Sequence, residues 1–64
     1  MMSAVARAEK RLGAQVPEYL LAEAERLTAQ KMAVKRLPEG YAGLLLEDEI
    51  VDAFTRAVIN RRCS

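Results

Sequence analysis

Sixty-four residues allow at most one small domain, and 52% of them are hydrophobic, with eleven alanines and only three aromatic rings among those. A chain this short hides only about 60% of its unfolded surface and usually needs a disulfide, a metal or a partner chain; one cysteine forbids an internal disulfide, and the lack of histidine removes the commonest metal ligand and the usual general base. Ten basic and nine acidic residues nearly cancel, which argues against a chain built mainly to coat nucleic acid, and the apolar fraction excludes a disordered segment.

The first predicted helix spans about residues 3–12. Ser3 suits the N-cap, and Gly13 suits the left-handed position after the last turn. Met1, Val5, Ala8 and Leu12 recur at spacings of four, three and four and draw one thin apolar stripe, with Arg7 and Arg11 beside it. Alone, such a helix is marginal in water.

The second predicted helix runs over about residues 17–36. Pro17 fits the first helical position, where its missing N–H is no loss, and Leu37-Pro38 forces the exit. Glu18, Glu23 and Glu25 lie in its N-terminal half and Lys31, Lys35 and Arg36 in its C-terminal half, which complements the helix dipole. Leu20, Ala24 and Leu27 form the buried stripe, flanked by Leu21 and Thr28. At 100° per residue Lys31 and Lys35 fall on the same line, with Met32 and Val34 on either side. Both lysines are expected to reach solvent along their stems as the helix leaves the core, so exchanging them for glutamate is expected to leave the fold intact.

The third predicted helix covers about residues 44–60, after a Pro38–Gly43 connection. Leu46, Ile50, Ala53, Phe54, Ala57 and Val58 share one face. Asp52 and Arg56 form a favourably oriented i,i+4 pair. Leu44-Leu45-Leu46 reads as helix, with a short extended stretch as the alternative. The fold class is therefore all-α: a short N-terminal helix plus an antiparallel αα-hairpin, in one domain over residues 1–64, completed by oligomerisation or a partner protein. Val5, Leu12, Leu20, Ala24, Leu27, Ile50, Phe54, Ala57 and Val58 are the expected core, and Phe54→Ala is expected to damage the fold itself.

Catalytic chemistry finds little support. The only serines, Ser3 and Ser64, are terminal and have no histidine to activate them. Cys63 has Arg61 and Arg62 to depress its pKa but neither pocket nor base. Asp48 and Asp52 stand one turn apart, a spacing that a hard cation could use, yet acids on a solvated face explain them better. Gly40-Tyr41-Ala42-Gly43 lacks the spacing and lysine of a phosphate loop. Pro17-Glu18, Leu20, Glu25-Arg26-Leu27, Leu37-Pro38 and Gly40 loosely resemble a helix-and-exit stretch of the theta accessory subunits of bacterial DNA polymerase III; these residues are also generic helix punctuation, so no family is assigned. No cofactor, metal or small-molecule substrate is expected.

What the sequence does offer is surplus apolar surface, the usual mark of an interface. Leu21, Lys31, Met32, Val34, Lys35, Leu44 and Leu45 are the candidate protein-binding residues, with Ile59 as further surplus. The acidic cluster Glu47, Asp48, Glu49 and Asp52 is the alternative contact surface. The expected function is a small non-catalytic helical interaction module, a regulator, inhibitor or accessory subunit that binds a larger protein or itself, of a size that suits phage or mobile-element proteins. The alternative is a dimeric nucleic-acid-binding regulator that gathers Arg7/Lys10/Arg11, Lys31/Lys35/Arg36 and Arg61/Arg62. No apolar run approaches the roughly 18 residues of a membrane span, no secretory signal opens the chain, and a lone cysteine suits a reducing compartment, so a cytoplasmic location is expected.

Overall fold

Short-range chemistry places the helix ends much as the sequence suggests. In the computed structural model, which describes residues 3–63, α1 spans Ala4–Leu12 and the Ser3 hydroxyl caps it by accepting from the Ala6 amide at 3.1 Å. Gly13 turns left-handed at φ 67° and donates its N–H to the Glu9 carbonyl. Met1 and Ser64 lie outside the described residues, as does the Cys63 side chain.

Helix α2 spans Glu18–Lys35. Pro17 stands one position earlier than expected: with ψ 149° it is the N-cap, and its carbonyl accepts from the Leu20 and Leu21 amides. At the other end Arg36 takes the left-handed cap at φ 52°, so the helix stops one residue before the predicted boundary. A 3-10 turn over Glu39–Tyr41 then feeds straight into α3, Ala42–Cys63. This helix is longer at both ends than the predicted 44–60, because the turn closed by Tyr41 N–H on the Pro38 carbonyl already has helical sense and leaves no break at Gly43. Leu44-Leu45-Leu46 is helical, and the extended alternative is ruled out.

The molecule is all-α, with three helices and no strand among the described residues. Helix α3 is its centre, since α1 and α2 each pack chiefly on it. Pro17, Tyr19 and Leu20 lie beside Phe54, Ala57, Val58 and Arg61, while Thr28 and Met32 lie beside Ala42, Gly43 and Leu46. Helices α2 and α3 therefore run antiparallel, as an αα-hairpin. The backbone measures 37 × 27 × 15 Å, so the three helices form an open slab rather than a closed bundle. No described helix is long and apolar enough to cross a membrane.

The core is small: Ala8, Val16, Leu20, Ala24 and Ile50, with Ile50 the one large side chain fully buried among the described residues. Val5, Leu12, Leu21, Leu46, Val51, Ala53, Phe54 and Ala57 pack around it. Three expectations are corrected, the first being Leu27, which is only partly buried and is not among the side chains packed on this core. Val58 is exposed, because α1 is too short to cover the C-terminal half of α3. Leu21, expected as surplus, packs against the core. Val16 is buried within the α1–α2 connection, where its N–H donates to the Glu9 carboxylate at 2.8 Å and so joins loop to helix. Thr28 is also buried, its hydroxyl satisfied by donating to the Ala24 carbonyl at 2.7 Å.

Candidate functional site

The N-terminal half of α3 carries four carboxylates in six residues, and the fold brings a cation to each. From α1, Arg7 Nε donates to Glu47 Oε1 at 2.6 Å, and Arg11 Nη1 donates to Glu47 Oε2 at 2.8 Å and to Asp48 Oδ1 at 3.2 Å. From α2, the Lys31 ammonium binds Glu49, whose side chain is only 4% exposed. Asp52 takes Arg56 one turn on, at 3.7 Å, the pair predicted from spacing. The cluster that offered an alternative contact surface is thus occupied from within. Glu47 and Glu49 clamp the two outer helices to the central one, and only Asp48 and Asp52 keep largely exposed side chains.

Lys31 is the sharpest correction. Its side chain is 43% exposed, yet its charged end is spent on a buried carboxylate rather than presented to a partner. The stripe that begins with Leu20 and Ala24 does face α3, continuing through Thr28 to Lys31. At that level α3 presents Glu49, which a period count on α2 alone cannot reveal.

Hydrogen bonds from Arg7 and then Arg11 hold the Glu47 carboxyl below its ordinary value, and those to Glu47 and Asp48 push Arg11 higher still. A carboxylate lowered by folding stabilises the native state above its unfolded pKa and loses that contribution as pH falls through the folded one. Glu47→Gln is therefore expected to lower the urea midpoint near neutrality and to flatten its decline below about pH 5. Denaturation series at several pH values check this. An acid limb identical to that of the parent would mean that the arginines do not hold Glu47.

The predicted protein-binding residues do not form one patch. Leu21 belongs to the core and Leu45 is half-buried, whereas Leu44 on α3 is 60% exposed. Val34, 80% exposed, lines a shallow depression of about 230 Å³ with Gln30, Lys31 and Lys35. Met32 lies away from it, in an open groove of about 310 Å³ between α2 and α3. That groove is lined by Thr28, Ala42, Gly43 and Leu46, with the exposed Ala29 and Glu25 at its rim, and its surface is nearly all apolar. Apart from Met32, none of these residues was singled out for binding. The signal lay in the i, i+4, i+7, i+11 run Leu21, Glu25, Thr28, Met32 and in the small residues facing it.

No group of three or more Cys, Asp or Glu converges on a metal position among the described residues. The chain matches no family model, no curated protein and no solved structure.

Proposed function

We propose that the protein is a non-catalytic helical interaction module, a regulator, inhibitor or accessory subunit that acts by binding protein, either a larger partner or another copy of itself. The observation that carries this reading is the groove between α2 and α3, which is open to solvent and nearly all apolar, together with the exposed Leu44, Val58 and Ile59 on the central helix.

A nucleic-acid-binding regulator draws less support. Arg7, Arg11, Lys31 and Arg56 are committed to carboxylates of the same chain, and the other basic residues are dispersed, Arg26 in the middle of α2 and Lys10, Lys35, Arg36, Arg61 and Arg62 near the ends of three helices. Two measurements separate the readings. Recovery from the native host should yield a stoichiometric protein partner or a self-complex that persists as salt rises, while fluorescence anisotropy with duplex and single-stranded oligonucleotides should show no tight binding. Affinity for an oligonucleotide that falls steeply with salt, and no protein complex, would overturn the proposal.

A further inference from the structure

We infer that the groove between α2 and α3 is filled by α2 of a second copy, in a two-fold homodimer whose α2 helices lie antiparallel. This deepens the interaction-module reading and rests on it. The groove is apolar, and the small Ala42 within it and Ala29 on its exposed rim let another helix backbone come close beside Met32. Its length lies along α2, an 18-residue helix that itself carries Met32 and Ala29 toward the opening.

Charge then selects a second α2. The helix has Glu18, Glu23 and Glu25 against the single Arg26 in its first half, and Lys35 with Arg36 at its end, Lys31 being taken up by Glu49. Such a helix repels a parallel copy and attracts an antiparallel one, the arrangement a two-fold axis across it generates. With the axis between Thr28 and Ala29, Glu25 meets Met32 of the second copy and has that copy's Arg36 one turn further on. Glu25 and Arg36 are both exposed, and neither has an ion-pair partner within the chain among the described residues. A net charge of only +1 per chain opposes association little.

Sedimentation equilibrium from about 1 to 200 μM, with thermal unfolding over the same range, tests this. The parent chain should show a monomer–dimer equilibrium and a Tm that rises with concentration. Met32→Asp and, on the exposed rim, Ala29→Arg should each weaken the dimer at least tenfold while the helical circular dichroism signal persists. Glu25→Arg should weaken it as well, and adding Arg36→Glu should restore it. A monomer throughout the range, a dimer indifferent to Ala29→Arg, or a charge exchange that fails to restore binding would each overturn the homodimer. If the chain is monomeric yet Ala29→Arg abolishes recovery of a host protein, self-pairing fails and the interaction-module reading stands. Monomeric behaviour with no protein partner at all would remove both.

Discussion

Replacing Ile50 with alanine is expected to cost about 4 kcal/mol, within the range seen when a fully buried isoleucine is cut back and a cavity is left. A domain of 64 residues has only about 3–10 kcal/mol in total, so this change should leave a substantial unfolded population at room temperature. Ile50 earns this place by position: it lies on α3, which both outer helices pack against, and no other large side chain among the described residues is fully buried. Phe54→Ala should cost less despite the larger side chain, because Phe54 is only partly buried. Urea titrations of both variants, followed by circular dichroism at one protein concentration, give the comparison. A larger loss at Phe54 would place the apolar centre nearer the C-terminal end of α3.

Lys31→Glu is the second large effect, and it reverses what helix periodicity suggests. The change would set a second carboxylate against Glu49, which is almost fully enclosed and has Lys31 as its ion-pair partner. Removing one member of a buried pair costs about 3–5 kcal/mol; because the Lys31 side chain is itself 43% exposed, a loss of about 2–3 kcal/mol is expected. Lys35→Glu, an exposed change with no ion-pair partner to lose, should stay within about 0.5 kcal/mol. Adding Glu49→Lys to Lys31→Glu should recover part of the loss, and Lys31→Met with Glu49→Leu should be nearly neutral. Chemical denaturation of the singles and doubles as a thermodynamic cycle measures the coupling. Equal, small costs at Lys31 and Lys35 would show that the pair contributes nothing.

These predictions also separate two kinds of candidate residue. Glu47 and Glu49 belong to the clamp that holds α1 and α2 on α3, so their variants should report on stability. Ala29, Glu25 and Arg36 lie on an open face, so theirs should report on association. Met32 lines the same groove but is half-buried, which is why Ala29→Arg accompanies it in the dimer test.

The parts of this protein that could be read along the chain are those governed by neighbours within one or two turns. Ser3 and Gly13 end α1 as their capping chemistry requires, Leu37-Pro38 follows the end of α2, and Asp52 meets Arg56 at i,i+4. The all-α class and the antiparallel hairpin follow from three apolar stripes joined by short links. Each of these depends on contacts that sequence spacing already specifies.

The tertiary structure decided which faces meet. Spacing puts Glu47, Asp48 and Glu49 on a helix as ordinary surface acids; only the seating of α1 brings Arg7 and Arg11 to Glu47, forty and thirty-six residues along the chain, and only the hairpin brings Lys31 to Glu49. The same holds for Val16, buried by the path of a loop, and for Val58, left exposed where α1 ends. Periodicity fixes the direction of a side chain about its own axis, while the identity of what it meets depends on the offset and tilt between helices, which links of only a few residues constrain without encoding. That is why Lys31 read as a solvent-seeking end of a stripe and is, in the folded chain, the counter-charge of its most buried acid.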